Sequence, residues 1–240
     1  MSELLALVRY RAVAWGLRGL SVRAAFLDHC APSLPQALSA TAGDGDRACV
    51  VLPLLLTAAY HSKADIPAKI AAASTAGLDV SCADTLGPHP LLLAALERRL
   101  AESGVSVGDP ATRSRTSVVL AAAGSSDPEA NATIASLAAR WQATRGWHAV
   151  LPAYASAAGP RPDEAVRELL AGGAPGPVVV ATYLLAPGYF ADKISAAGLG
   201  AGAAAVSPAL GAAPEIADVV LERYLAAVRA ELCAPQLARA

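Results

Sequence analysis

Three landmarks from the first half of this 240-residue chain recur in the second half at a nearly constant distance along the sequence. Phe26-Leu27-Asp28 matches Tyr154-Ala155-Ser156 at an offset of 128, and Leu54-Leu55-Leu56 matches Tyr183-Leu184-Leu185 at 129. Leu86-Gly87 with Pro90 matches Leu210-Gly211 with Pro214 at 124. A repeat of this length uses one supersecondary pattern twice. The sequence therefore predicts two similar halves with a cleft between them.

Within each half, short apolar runs alternate with segments of helical periodicity, which is typical of parallel sheets covered by helices. We expect an α/β protein with flavodoxin-like halves at residues 1–107 and 116–240, joined by a polar linker at 108–115. The predicted strands cover 21–28, the apolar run from residue 50, 78–83, 116–123, 149–156, 178–185 and 203–206. The predicted helices cover 2–18, 34–41, 66–76, 91–103, 130–145, 162–171 and 215–232, with a loop at 186–190.

The strand that opens the second half has no counterpart in the first. At an offset of 128, Ser117 maps to a position before Met1. In flavodoxin-type sheets the first strand is central, and its loss would leave backbone groups of both neighbours unpaired. We expect that the sequence starts too late, that another segment fills the slot, or that the first half is distorted.

The composition narrows the class of protein. Hydrophobic residues make up 55% and charged residues 16% of the chain, and the net charge is −1, which argues against disorder and against a basic surface for nucleic acid. Four cysteines occur without a C-x-x-C, so we expect reduced, mostly buried thiols; they are Cys30, Cys49, Cys82 and Cys233. No signal peptide or membrane span is recognisable. These features predict a soluble, cytoplasmic protein that binds neither nucleic acid nor membranes.

The segment from Val50 to Pro67 carries the main candidate for chemistry. Its apolar run reads as a buried strand, and Asp65 followed by Pro67 indicates the start of a helix. His61 lies in the loop between them, at the carboxyl end of a strand, where open α/β sheets bind ligands. The alternative is a histidine that makes only local hydrogen bonds.

Other residues are weaker candidates, each with a structural alternative. Gly124-Ser125-Ser126 stands where a helix begins and suits an anion, although a plain helix cap explains it equally well. Lys63 and Lys69 could bind carboxylates, and the alternative for Lys69 is simple solvation. His29 follows a predicted strand and could line the cleft, or it is a surface loop residue. Tyr183 could stack on a flat ligand or pack in the core. We expect structural roles for the two remaining histidines, His89 between two prolines and His148 near a helix end.

Five motifs follow one another along the chain: A-F-L-D-H-C-A-P-S-L, P-L-L-L-T-A-A-Y-H-S-K-A-D-I-P, L-G-P-H-P, A-A-A-G-S-S-D-P and T-Y-L-L-A-P-G. In this order they resemble the sirohydrochlorin chelatase family, the class II chelatases, in its long two-repeat bacterial form. The resemblance extends from about Val22 to Leu232. In this family two histidines of one half usually face the metal, one in a His-Gly-Ser turn after the first strand. His61 matches the other of these two histidines. The His-Gly-Ser turn has no counterpart here, and the second half has Ala123 and Phe190 at the two positions.

The resemblance implies insertion of Co(II) or Fe(II) into sirohydrochlorin, a tetrapyrrole with eight carboxylates, in cobalamin or sirohaem biosynthesis. His61 would be metal ligand and proton acceptor, which suits imidazole. His29, Lys63, Gly124, Ser125, Ser126 and Tyr183 would contact the macrocycle. The metal is a substrate, no permanently bound cofactor is expected, and a two-repeat chain can act as a monomer. The alternative is a chelatase-like protein that binds a tetrapyrrole or metal without inserting the metal.

Overall fold

The computed structural model describes residues 1–28, 30–57, 65–73 and 77–233. The helices are α1 Ser2–Ala14, α2 Leu34–Gly43, α3 Ile66–Ala71, α4 Pro90–Glu102, α5 Pro110–Arg113, α6 Pro128–Arg145, α7 Pro162–Ala171, α8 Tyr189–Gly200 and α9 Pro214–Cys233. The strands are β1 Ala48–Val51, β2 Asp79–Cys82, β3 Ser117–Ala122, β4 Ala149–Tyr154, β5 Val178–Tyr183 and β6 Ala205–Val206. The chain forms two compact units, one of residues 1–87 with 217–240 and the other of residues 88–216. The predicted α/β class with parallel sheets is confirmed.

The second unit contains a four-stranded parallel sheet in the order β4-β3-β5-β6. Every residue of β3 and β5 is buried, as expected for strands covered on both faces. Val119 and Ala121 of β3 share a core with Val166 of α7 and Ile194 of α8. The carboxyl ends of these strands meet at one edge of the sheet, and the loops after them are placed together there.

The first unit has a smaller sheet in the described residues, β1 paired in parallel with β2. Leu34 and Leu38 of α2 form its core with Ile66 and Leu78. Helix α2 begins with a capping box, in which Ser33 accepts from the amide of Gln36 and the Gln36 side chain accepts from the amide of Ser33. The cap fixes where this helix starts and so how its apolar face meets the sheet.

The predicted strand at 21–28 is wrong. The segment makes one isolated bridge, between Phe26 and Ser33. Its counterpart in the repeat is β4, whose strand pairing is entirely with β3. Within the described ranges, the first unit contains no strand in the position of β3. The backbone of Phe26 bonds instead to Pro32 and Leu34, at 2.9 and 3.2 Å, so the apolar residues of 21–28 do not extend into a sheet strand, and strand propensity alone does not form one.

Two helices are exchanged between the repeats. Helix α4 ends the first repeat in sequence but belongs to the second unit, whereas most of α9 ends the second repeat and belongs to the first unit. Equivalent arginines hold both: Arg99 donates to the carbonyl of Leu210 at 2.7 Å, and Arg223 donates to that of Leu86 at 3.3 Å. The expected linker at 108–115 contains the short helix α5 and lies inside the second unit.

Helix α8 was not predicted, because its run of alanines and glycines looks like a loop in the sequence. Gly198 has a packing reason to be there. A Cβ at this position would lie 2.9 Å from Cγ2 of Val180 and 3.1 Å from Cγ2 of Val206, so glycine lets α8 approach the sheet closely. Several predicted elements end early. Helix α1 stops at Ala14, before Gly16 in the left-handed region, and β1 stops at Val51, before Pro53. Helix α3 stops at Ala71, and β4 and β5 each end two residues before the predicted bound.

Candidate functional site

Three of the predicted site residues, His29, His61 and Lys63, lie outside the described residues. The structure describes the elements on both sides of the His61 loop, with β1 and residues up to Thr57 before it and Asp65 with α3 after it. Asp65 is the N-cap residue of α3 by position, but its side chain makes no capping hydrogen bond. The loop therefore follows the carboxyl end of β1, as the sequence predicted.

At the carboxyl edge of the first unit, Lys69 of α3 is bound rather than solvated. Its Nζ donates to the carbonyl of Leu27 at 2.9 Å and lies 3.4 Å from the carboxylate of Asp28. The pair is partly exposed, so its energetic value is small. Its importance is positional, because the bonds tie the last turn of α3 to the segment that carries Leu27.

The second unit repeats this contact with different chemistry. Lys193 of α8 donates to the carbonyl of Ala155 at 2.6 Å. Ala155 is the repeat equivalent of Leu27 at an offset of 128, and Lys193-Ile194 is that of Lys69-Ile70 at 124. The guanidinium of Arg161 donates to the same Ala155 carbonyl at 2.9 Å. Ser156 replaces Asp28, and Arg161 replaces Ser33. A neutral lysine–aspartate site in one unit thus corresponds to a doubly cationic site in the other.

Two aromatic side chains are exposed in the helix that carries Lys193. Tyr189 and Phe190 form the first turn of α8, are 75% and 39% exposed, and meet edge to face with ring centroids 5.5 Å apart. Tyr189 precedes Lys193 by four positions, so the two lie on one face of the helix. Phe190 is the sequence equivalent of His61 at an offset of 129. Sequence reasoning noted Phe190 only for the missing histidine.

The Gly124-Ser125-Ser126 loop is built as a helix cap. The amide of Ser125 donates to the Asn131 side chain at 3.0 Å, Ser125 Oγ accepts from the amide of Asp127, and Asp127 caps α6 by accepting from Glu129 at 2.9 Å. These amides are already engaged, and the Asp127 carboxylate already occupies the positive end of the helix dipole. The arrangement favours the capping alternative, and contact with substrate stays a prediction.

Gly124 is required by close backbone packing. Its φ is +85°, and a Cβ there would lie 2.0 Å from the carbonyl oxygen of Ser156. This glycine therefore lets the loop after β3 pass against the loop after β4, the same loop that carries Ala155. The geometry positions the cationic site without requiring that Gly124 touch a ligand.

Tyr183 is the last residue of β5 and is 2% exposed. Burial raises the pKa of its phenol well above the ordinary value. A neutral, buried ring is suited to core packing, and a role in substrate binding stays a prediction. At the preceding residue, the amide of Thr182 donates to Oγ of Ser207 at 2.9 Å, and Oγ1 of Thr182 donates to the carbonyl of Ser207 at 2.7 Å.

The other candidate ligands have structural roles or stand apart. Nδ1 of His89 accepts from the amide of Leu91 and caps α4, as expected for a turn residue, and His148 is exposed.

Cys30, Cys49 and Cys82 are unpaired, but Cys30 and Cys82 are exposed, so the expectation of mostly buried thiols is wrong. Partial burial raises the pKa of the Cys49 thiol. Among the described residues, no three His, Cys, Asp or Glu side chains form a group that could hold a metal.

A buried carboxylate in the second unit has a structural explanation. Glu97 of α4 accepts from the indole Nε1 of Trp141 at 3.0 Å, and the guanidinium groups of Arg113 and Arg145 lie 3.7 and 3.6 Å from it. Burying a carboxylate is costly unless it is hydrogen-bonded and paired, and both conditions hold. The cluster joins α4 to α5 and α6, and these contacts explain the buried carboxylate without a ligand.

None of the helices in the described residues has the length and apolar character that a membrane span requires.

Comparison with known proteins gives a family and a fold. The model of the CbiX family matches residues 5–103 and 117–227. A sirohydrochlorin cobaltochelatase from Priestia megaterium is 31% identical over 176 residues, covering 72% of this chain and 56% of the relative. A sirohydrochlorin ferrochelatase from Bacillus subtilis (strain 168) is 30% identical over 146 residues, covering 60% of this chain and 54% of the relative. The chain thus matches little more than half the length of these relatives.

A solved structure supports the fold over nearly all of the chain. SirB from Bacillus subtilis, determined with Fe3+, has a TM-score of 0.79 at 24% sequence identity, covering 97% of this chain and 91% of that one. At this identity the likeness concerns the fold alone. It confirms the predicted two-repeat architecture.

Proposed function

Because this chain belongs to the CbiX family of sirohydrochlorin chelatases, we propose that it inserts Co(II) or Fe(II) into sirohydrochlorin. The observation that carries the proposal is the family match, which covers both repeats and includes His61. The names of the relatives in Priestia megaterium and Bacillus subtilis support both metals as substrates. Imidazole binds both ions readily, so ligand chemistry gives no reason to prefer one.

In the proposed reaction, His61 acts at two points. Its neutral imidazole binds the divalent ion, and an imidazole accepts a proton near neutral pH. Insertion would exchange the metal–imidazole bond for bonds to the pyrrole nitrogens and break two pyrrole N–H bonds. The imidazole nitrogen that the metal leaves would accept one proton and water the other, so charge balances. In the sequence, His61 lies between β1 and α3 of the first unit.

The test is Co(II) insertion into sirohydrochlorin, followed by the change in the absorbance spectrum. We expect the wild-type chain to accelerate insertion and His61→Ala to lower the rate by about 100-fold or more, the effect of losing a general base. His148→Ala is the matched control, because His148 is an exposed histidine of the second unit, and it should keep the wild-type rate. Unchanged insertion by a folded His61→Ala variant would overturn the assignment.

The same assay separates the enzyme from its alternative. A chain that binds sirohydrochlorin, seen by a spectral shift without metal, but does not accelerate insertion would be a tetrapyrrole-binding protein. We propose in addition a monomeric protein in the cytoplasm without a permanently bound cofactor, supported by the two-repeat chain and by the family. Gel filtration and metal analysis of the purified protein test these points.

A further inference from the structure

The carboxyl edge of the second unit carries side chains that the proposed chemistry of His61 does not use. Tyr189 and Phe190 expose an apolar, aromatic surface at the start of α8. One turn later, Lys193 reaches the Ala155 carbonyl, where it meets Arg161. Aromatic residues and arginine are enriched where protein surfaces bind partners.

The two cations have no acidic partner in the part of the chain that is described. Their side-chain contacts are with the neutral carbonyl of Ala155, at 2.6 and 2.9 Å. Glu164 accepts from the backbone amide of Arg161, not from its guanidinium. Holding two like charges near one oxygen costs electrostatic energy, which a bound carboxylate would offset through charge-assisted hydrogen bonds.

The first unit shows that this charge is not required by the fold. There, the equivalent lysine, Lys69, makes the same carbonyl contact with Leu27 beside the carboxylate of Asp28, and Ser33 stands at the position of Arg161. A structural link between helix and loop is therefore made with a balanced charge in one repeat and with two uncompensated cations in the other. The excess positive charge in the second unit points to an anionic ligand.

We propose that Tyr189, Phe190, Lys193 and Arg161 form a platform that binds a flat polycarboxylate macrocycle, its ring against the aromatic pair and its carboxylates on the two cations. This inference rests on the proposed function, because sirohydrochlorin is such a molecule. The platform supplies binding and orientation, not metal or proton chemistry. It also gives Phe190 a role at the position where the first repeat has His61.

Equilibrium binding tests the platform without any insertion step. The probe is uroporphyrin I, a planar tetrapyrrole with eight carboxylates, titrated into the full chain and followed by its Soret absorbance. Tyr189→Ser with Phe190→Ser should weaken binding at least about tenfold, the order of one lost stacking contact, whereas Tyr189→Phe should keep it. The matched control is Leu199→Ser, an equally apolar, 54% exposed residue at the other end of α8, which should bind like wild type.

The contribution of Lys193 and Arg161 is tested by removing their charges and by varying the salt concentration. Lys193→Met with Arg161→Met should also weaken binding about tenfold and should flatten its dependence on ionic strength, since exposed charge interactions are screened by salt. Arg167→Met is the control: Arg167 is an exposed cation of α7 that is paired with Asp163. A purely structural role for Lys193 and Arg161 would lower the melting temperature but leave the salt dependence unchanged.

The outcomes distinguish this inference from the proposed function. Variants that remain folded by circular dichroism and bind uroporphyrin within twofold of wild type, with the same salt dependence, would overturn the platform, even if the wild type inserts Co(II). Conversely, a wild-type chain that binds the probe through these residues but inserts no metal would keep the platform and overturn the chelatase.

Discussion

The carboxyl edges of the two sheets come from the same repeated sequence and have diverged in opposite directions. Both place a lysine of the following helix on the carbonyl of an equivalent residue, Leu27 or Ala155. The first repeat adds Asp28 and keeps His61 in its loop, whereas the second adds Arg161 and has Phe190 instead. The scaffold contact is thus constant while the surrounding charges and rings vary. On the two proposals above, the first repeat would provide the metal chemistry and the second a binding surface.

Helices α1 and α6 are equivalent in the repeat but differ in how they are packed. In α6, Trp141 is fully buried and donates to Glu97. In α1, the residue at the equivalent position is Val13, which is 57% exposed. The second unit has a completed four-stranded sheet and a deep core, while the first unit's described sheet has two strands.

The largest expected effect tests this difference in packing. Trp141→Ala should lower the free energy of unfolding by about 3–5 kcal/mol, because it empties a buried site and leaves the Glu97 carboxylate without its indole donor. Val13→Ala should change it by less than about 0.5 kcal/mol. Urea unfolding followed by circular dichroism measures both, and similar losses in the two variants would contradict the asymmetry between the units.

Gly124 tests the loop after β3, the strand without a counterpart in the first unit's described residues. Gly124→Ala should be strongly destabilising, because the new Cβ would meet the Ser156 carbonyl at 2.0 Å in addition to a φ of +85°. Gly146→Ala is the control, with a φ of +73° and open space around it, and should cost only the about 1–2 kcal/mol of a left-handed non-glycine residue. Equal melting temperatures for the two variants would show that the close approach is unimportant.

The exchanged helices provide a matched pair of arginines. Arg99 makes two hydrogen bonds to the Leu210 carbonyl, at 3.0 and 2.7 Å, so Arg99→Met should cost about 2 kcal/mol of unfolding free energy. Arg223→Met removes a longer contact with Leu86, at 3.3 Å, and should cost about 1 kcal/mol. Urea titrations in which Arg223→Met is the more damaging variant would reverse our reading of these two anchors.

The smallest effect is a direct exchange of charge between the repeats. Ser156→Asp places beside Lys193 the carboxylate that Asp28 provides beside Lys69, and should weaken uroporphyrin binding about tenfold by neutralising one cation. Asp28→Ser in the first unit should leave binding of this probe unchanged. If Ser156→Asp binds the probe as wild type does, then the charge difference between the repeats has no part in binding.

Most of the fold could be predicted from the sequence because its signals are local. Apolar runs, proline at helix starts and glycine at helix ends placed α2, α4, α6, α7 and α9, along with the strands of the second sheet. Two errors have tertiary causes. Residues 21–28 have no neighbouring strand among the described residues of the first unit, and α8 contains the helix-disfavouring Gly198 because the helix packs closely on the sheet there.

The candidate site was predicted only in part. The sequence identifies the His61 loop and the family to which it belongs, and the site roles of His29, His61 and Lys63 stay predictions outside the described residues. The Gly124-Ser125-Ser126 loop and Tyr183 were reasonable candidates by residue type, but hydrogen bonding within the loop and burial of the ring depend on neighbours distant in sequence. The cationic pair was missed because Arg161 and Lys193 are 32 positions apart and meet only at the Ala155 carbonyl.

By itself, the sequence determined the repeat, the α/β class, the family and the loop that carries His61, because each depends on periodicity or on the order of residues within a short segment. The tertiary structure decided which unit each exchanged helix joins, why residues 21–28 are not a strand, and which cations converge beside the aromatic pair. These features depend on contacts between segments far apart in the chain, where pairing and packing outweigh local propensity.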